Sequence, residues 1–489
     1  MTPPRVGRAR LESATPPSAA RLPDGFSVQL DSRIRRRDDG RVLLGGNPIR
    51  LLKLSATASA LLANGSMLTV SDDTTAALAR RLLDAGAAHP RLSAPANPAD
   101  VTVVVPVRDR PEGLERLLAA IGRTAGVLPV VVVDDGSRDA LAVRRICARH
   151  HATVIRHDTP HGPSAARNRG LAAAATPYVA FLDSDSEPVA GWLNLLQRHL
   201  DDPLVAAAAP RIVALGTRTS RWFASYEAAA SSLDLGPNEG PVHPHGGIPY
   251  VPGVALLVRR TALPAGYDET MHVAEDVDLV WRLVASGWRV RYEPMALVAH
   301  DHPTSVAVWA RRRVFYGTGA ADLAARHGSA VAPIVLSPWS AAAWMALLAG
   351  RRSGPVCSAA ILAWATARLT RRLTDLTDVT DGGLKWPSAA RLVGLGTAFA
   401  GRQLASAVVR HYWPLSLLAA MTSRSARRWI VLIAGWDAVI GWAPHRRQVP
   451  LGRFILFRRL DDLCYGAGLW WGVARSRRLQ ALRPKIGPV

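Results

Sequence analysis

Acidic and imidazole side chains gather at a few points of this sequence, each time where an apolar run ends. Asp134 and Asp135 close a four-valine run and are followed by Gly136 and Ser137. A carboxylate there can accept a hydrogen bond from a nucleobase imide N–H or a ribose hydroxyl, although Asp-Asp-Gly-Ser also makes an ordinary turn. Asp183 and Asp185 end Tyr178-Val179-Ala180-Phe181-Leu182 as an Asp-x-Asp, and strand alternation sets both carboxylates on one side. Such a pair repels itself unless a cation lies between. A hard divalent ion, Mg²⁺ or Mn²⁺, would serve and would bridge the diphosphate of a nucleotide donor. Glu275, Asp276 and Asp278 open the helical stretch DVDLVWRLVASG, where acids complement the helix dipole. Asp276, held by its neighbour Glu275, is also the preferred general base, provided its pKa rises toward neutrality. His300 and His302 flank Asp301; His300 follows the acidic clusters where a third metal ligand would stand, with a structural histidine as the competing reading. Between the first two clusters, Arg167 or Arg169 in GPSAARNRG can pair with a phosphate oxygen near a helix start or simply decorate a capped surface helix.

These residues need a frame. VTVVVPV, VLPVVVVDD, ATVIRH, YVAFLDSD and VAAAAPRIV alternate with helical stretches, and near-continuous apolar runs of this kind predict parallel strands buried on both faces. The expectation is a doubly wound, Rossmann-like α/β domain over residues 100–325. Ligands of such sheets bind beyond the carboxyl ends of the strands, where the acids stand.

Residues 1–20, rich in Pro, Ser, Ala and Arg, read as a disordered tail without a signal peptide. Residues 21–92 hold two β-rich runs around Asp38-Asp39-Gly40, a hairpin turn, and two amphipathic helical stretches. Together they predict a small winged-helix-like module, with Arg35, Arg36 and Arg37 as a DNA-facing wing or a solvated basic hairpin. Residues 93–98 read as a linker. Residues 326–489 turn to Ala, Leu, Trp and Arg, and the stretch between His327 and Arg351 is uncharged over a bilayer-spanning length. Trp339, Trp344, Trp364, Trp413, Trp429, Trp436 and Trp442 suit interfacial anchors, and the arginines around them suit anionic headgroups. An α-helical region that spans or lies on the membrane is expected, on its cytoplasmic side; a soluble domain with an Ala-rich core is the alternative.

The formal charge of +22 points to polyanionic partners: nucleic acid, anionic lipid or phosphorylated substrates. Cys147, Cys357 and Cys464 stand far apart, so neither a disulfide framework nor a structural zinc site is expected. A DNA-binding regulator would use the charge but leaves unexplained why acids, not bases, crowd the strand ends. No nucleic-acid partner is expected.

Taken in order, VVVPVRDR (103–110), VVDDGS (132–137), GPSAARNRG (162–170), FLDSDSE (181–187), GVALLVRR (253–260) and AEDVDL (274–279) resemble the family-2 glycosyltransferases of GT-A fold. The resemblance implies that Pro106 and Arg108 line a uridine pocket with Asp135, with Asp134 beside it. It also implies that Asp183 approaches the ribose, Asp185 coordinates the metal and Asp276 is the base of an inverting displacement. The Gln-x-x-Arg-Trp signature of processive members is replaced by Val308-Trp309-Ala310-Arg311-Arg312-Arg313, which argues against cellulose-synthase-like translocation. The whole architecture is similar to the glycosyltransferases of mycofactocin biosynthesis. That implies UDP-glucose as donor, a ribosomal-peptide-derived redox cofactor precursor as acceptor, and a β-linked oligoglucosylated product. It also implies that residues 21–92 resemble peptide-recognition modules and hold the precursor peptide or pathway enzymes. A lipid-linked or cell-wall acceptor is the rival within the same enzyme class.

Overall fold

The structure, a computed structural model, describes residues 14–17, 20–38, 40–63, 65–91, 98–216, 223–303, 305–349, 351–376 and 382–487. Most of the expected tail, Asp39 of the hairpin turn and residues 93–97 of the expected linker lie outside them.

The apolar runs Val101–Val107, Val130–Asp135, Thr153–His157, Tyr178–Leu182 and Val205–Ala214 are strands. With Ser186–Pro188, Gly240–Pro241, Ala255–Arg259 and Arg289–His300 they form one nine-stranded sheet. Thr153–His157, Val130–Asp135, Val101–Val107 and Tyr178–Leu182 lie side by side and parallel. Beyond them Ala255–Arg259 runs antiparallel to both Tyr178–Leu182 and Val205–Ala214, and Arg289–His300 is parallel to Val205–Ala214. The expected doubly wound parallel sheet is therefore corrected to a mixed one. The reason is physical: a continuous apolar run reports burial on both faces, and Ala255–Arg259 is as buried as its parallel neighbours without any signal of direction.

The two faces follow the strand period of two. Val103, Val105 and Val107 enter a core with Leu114, Leu117, Ile121 and Trp192. Val104 and Phe181 enter the opposite core with Leu256, Trp281 and Tyr292. Parallel register sets Val107 opposite Asp134 and Asp135 opposite His157. The strands therefore finish along one edge of the sheet, and the residues just past them share that edge.

The N-terminal unit has two small sheets. In one, Ser27–Leu30 lies between Met67–Thr69 and Ala88–Arg91; the other joins Arg35–Arg37, Val42–Gly45 and Arg50–Lys53. The helices Ala56–Ala63 and Asp73–Asp84 close a core of Leu22, Phe26, Val28, Leu43, Leu62 and Leu82. Asp72 and Thr75 exchange a reciprocal capping box at the second helix. The expected hairpin is present, but Arg36 turns inward, donating to the Leu62 carbonyl at 2.6 Å and to that of Gly65. This places a cation on carbonyls at a helix C-terminus, where the dipole favours it. Arg80 to Asp202 (2.7 Å) and Arg289 to Asp84 (2.7 Å) tie the unit to the sheet domain.

After the sheet, the Val306–His327 helix straddles the boundary expected near 325 and packs along Leu451–Ser476. The uncharged stretch before Arg351 is not one continuous helix. It divides into a 3₁₀ turn at Gly328–Val331, a strand Val335–Leu336 paired with Lys485–Ile486, and an 11-residue helix Pro338–Leu348. That helix is about 17 Å long at 1.5 Å per residue, roughly half a bilayer core. Pro333 and Pro338 interrupt the amide ladder that a span would need. Among the described residues, Trp386–Arg410 is the one helix long and apolar enough to cross a membrane. Of the seven expected anchors, Trp339, Trp364, Trp429 and Trp436 are exposed. Trp344 and Trp442 instead donate to the Thr397 and Val449 carbonyls, and Trp413 lies against Gly466.

Candidate active site

A cavity of about 580 Å³ opens at the strand-end edge. Pro106, Arg108, Asp135, Arg167, Asp183, Asp185, Glu275 and Asp276 all line it. Residues as distant in sequence as Pro106 and Asp276 thus share one pocket.

Asp135 is built as a fixed acceptor. Its carboxylate takes the amides of His161 and Gly162 and Nδ1 of His157, each at 2.8 Å. Gly162 stands at φ 96°, a conformation that glycine adopts without steric cost. Burial pushes the Asp135 pKa up, but these donors outweigh it and hold the group below the ordinary carboxylate range. Such a group stays an acceptor and suits a ligand N–H. Asp134 points the other way, as strand alternation demands. It accepts from the Ser137 amide at 2.9 Å, pairs with Arg156 and does not line the cavity. Its expected place beside the donor pocket is therefore corrected to an internal clamp on the turn. Arg108 is exposed at the cavity mouth.

Arg167 is buried in the Pro163–Ala173 helix. It donates to Asp183 at 2.8 Å and to Glu275 at 2.9 Å, with its guanidinium 5.3 Å from the centre of the Tyr267 ring. Each terminal nitrogen gives one N–H to a carboxylate, and Nε is buried without a hydrogen-bond partner. Arg167 therefore positions Asp183 and Glu275 on the cavity wall while keeping further N–H donors. Arg169 is exposed on the same helix and is not part of the cavity wall.

Asp185 and His300 meet although 115 residues apart, Oδ1 to Nε2 at 3.3 Å. Register explains this: Ser186–Pro188 pairs with the end of Arg289–His300, setting Ser186 opposite His300. Arg110, absent from the expected set, pairs with the other Asp185 oxygen. Burial raises both carboxyls of the Asp-x-Asp, but they separate. The neighbouring Asp185 charge adds to burial at Asp183, which rises despite Arg167. At Asp185 the His300 imidazole and the Arg110 and Arg312 charges prevail, and it falls. Among the described residues, no three His, Cys, Asp or Glu side chains form a complete metal cage. A divalent ion that takes one or two protein ligands plus substrate phosphates needs no such cage. Asp185, on the cavity wall, fits that role; His300 does not line the cavity and adjoins it through its contact with Asp185, its Nδ1 buried without a hydrogen-bond partner.

Asp276 sits in the first turn of the Glu275–Ala285 helix. Its Oδ2 accepts the Gly253 amide at 2.7 Å and its Oδ1 the Val277 amide at 2.8 Å. Loss of hydration and the adjacent Glu275 charge push its pKa up to about 6, against the pull of those amides and Arg167. Ala274, just before, is held at φ 62°, a left-handed conformation that non-glycine residues adopt at a cost and that clusters at functional sites. Gly253 was legible only as the start of GVALLVRR. Its role comes from a contact across the cavity, since a Cβ there would lie 2.9 Å from the Asp276 Cβ.

Residues 102–264 match the model of glycosyl transferase family 2. Over 483 residues the chain is 46% identical to the pre-mycofactocin glycosyltransferase of Mycobacterium tuberculosis strain H37Rv, covering 96% of this chain and 99% of that one. The succinoglycan biosynthesis protein ExoU of Rhizobium meliloti is 29% identical over 205 residues, 40% of this chain and 60% of its own. Among solved structures, the Pyrobaculum calidifontis mannosyltransferase PcManGT, in complex with GDP-Man and Mn²⁺, aligns with a TM-score of 0.40 at 20% identity. That alignment covers 77% of this chain and 89% of that one. With its ordered motifs brought into one cavity and an end-to-end relative of this identity, the chain belongs to the family-2 glycosyltransferases and is a sugar-transferring enzyme.

Proposed function

We propose that the enzyme transfers glucose from UDP-glucose to the peptide-derived redox cofactor precursor of mycofactocin biosynthesis, with inversion, building a β-linked oligoglucoside. The observation that carries the pathway assignment is the 46% identity across 96% of the chain to the pre-mycofactocin glycosyltransferase. In this reading Pro106, Arg108 and Asp135 hold the base of the donor, and Asp183, fixed by Arg167, meets the ribose. A divalent cation, Mg²⁺ or Mn²⁺, would be held by Asp185 and His300 and would supply charge neutralisation for the departing diphosphate. Asp276 takes the proton of the acceptor hydroxyl as its oxygen bonds to the anomeric carbon and the nucleoside diphosphate leaves. Each Asp276 oxygen spends one lone pair on a backbone amide and keeps another for that proton.

The same proposal places the C-terminal helices on the cytoplasmic face of an anionic membrane. Supporting it, exposed Trp429 adjoins exposed Arg424, Arg427 and Arg428, and exposed Trp364 stands on the helix after exposed Arg351 and Arg352. These apolar surfaces also favour the second reading, a lipid-linked or cell-wall acceptor. Residues 21–92 are proposed to bind the precursor peptide or a pathway enzyme. One experiment tests both: purified full chain and a variant lacking residues 1–91 are incubated with UDP- and GDP-sugars and peptide-derived or lipid-linked acceptors, and products are weighed by mass spectrometry. The expected result is glucosylation of the peptide-derived acceptor by the full chain only, with UDP-glucose hydrolysis kept by the shortened one. Transfer to a lipid-linked acceptor alone would establish the rival.

A further inference from the structure

The cavity has a second chemistry besides its charge. Leu233, Tyr250, Phe315 and Tyr316 line it together with the charged residues. Tyr250 is anchored by its hydroxyl, which donates to the Ser232 carbonyl at 3.0 Å, so its ring is a fixed wall. Phe315 and Tyr316 are 48% and 39% exposed, whereas Trp309, Ala320 and Ala321 on the packed face of the same helix are at 5% or less. Large aromatic faces left open inside a cavity bind flat apolar groups well, because they bring area at little cost in conformational freedom.

The position of that wall is set from outside the sheet domain. Phe315 and Tyr316 lie in the Val306–His327 helix, which meets Leu451–Ser476 backbone to backbone. A Cβ on Gly317 would strike the Tyr465 carbonyl, one on Gly468 the Val314 carbonyl, and one on Gly472 the Thr318 carbonyl. These contacts bracket the two aromatic residues. An ion pair from Arg313 to Asp461 at 3.1 Å holds the same two helices in register.

We propose that Leu233, Tyr250, Phe315 and Tyr316 form the acceptor slot, that it takes an aromatic or apolar portion of the acceptor, and that the glycine seam to the C-terminal helix sets its width. This rests on the glycosyl-transfer reading above and adds to it the kind of group recognised. Phe315 and Tyr316 are specificity-determining residues, and Gly468 is a positioning residue acting through them.

The test is equilibrium binding of two probes to the full chain loaded with UDP: phenyl β-D-glucopyranoside and methyl β-D-glucopyranoside, which differ only in the group at the anomeric oxygen. The phenyl glycoside is expected to bind about tenfold tighter or better, a modest figure for one buried ring. Replacing Phe315→Ala together with Tyr316→Ala brings the ratio to within about threefold of unity, and Gly468→Leu erodes it without touching either probe. Because the ratio is taken within one protein, a smaller folded fraction cancels. Equal affinities in the unaltered chain, including no binding of either probe, or a preference that survives the double replacement, overturns the slot; an intact ratio in folded Gly468→Leu overturns the seam. Absence of donor turnover would refute the glycosyl-transfer reading while leaving this ratio to be measured.

Discussion

Asp276→Asn lowers turnover by about 10²-fold or more, within the range of about 10²–10⁴ that a positioned general base contributes, while the nucleotide-sugar donor still binds. The side chain keeps its volume and loses the proton acceptor. The pH dependence carries the same signature. Because burial and Glu275 raise the Asp276 pKa to about 6, the unaltered enzyme holds a protonated, inactive Asp276 below that pH. Its rate climbs as pH passes upward through about 6. In Asp276→Asn that acidic limb is absent. Gly253→Ala is the companion: its new Cβ, 2.9 Å from that of Asp276, displaces the carboxylate, and a shift of about 1 Å in a catalytic group costs on the order of 10² in rate. Steady-state kinetics from pH 5 to pH 8 check all three statements, and an unchanged turnover in Asp276→Asn would move the role to Glu275.

Asp185→Ala abolishes cation-dependent transfer. Losing even an outer partner of a metal ligand costs about 10–100-fold in affinity, so in the proposed role of direct ligand the loss of Asp185 exceeds that. Arg110, which pairs with Asp185, and His300, 3.3 Å from it, then face each other with no carboxylate between them. Titrating Mn²⁺ into the variant and reading both transfer and binding of the ion is the measurement. Full activity at low Mn²⁺ would remove Asp185 from the site. The fold is expected to persist, since Asp185 lies at a strand end and not in either sheet core.

Much of the placement is readable from local spacing because Asp135, Asp183 and Asp185 close apolar runs, and the end of a buried strand is where a chain must meet solvent or ligand. Asp276 instead opens a helix, and all four line the cavity. Arg167 also lines the cavity, with carboxylate partners that its own segment does not announce. Nothing within its own helix shows that Glu275, 108 residues onward, would claim one of its nitrogens. Arg110 was passed over because an exposed arginine before a helix has no local signature. The membrane-length stretch before Arg351 is divided for a related reason: hydropathy counts residues, whereas Pro333, Pro338 and pairing with Lys485–Ile486 decide how far a helix runs.

By itself the sequence determined which side chains stand at strand ends, which stretches are buried, and where glycine and proline must break the chain, since these depend on steric and solvation properties of neighbouring residues. Tertiary structure alone decided the antiparallel direction of Ala255–Arg259, the meeting of Asp185 with His300 and the open aromatic wall carried by the Val306–His327 helix. Those depend on strand register and helix packing between residues far apart in the chain, and no short-range pattern encodes a long-range contact.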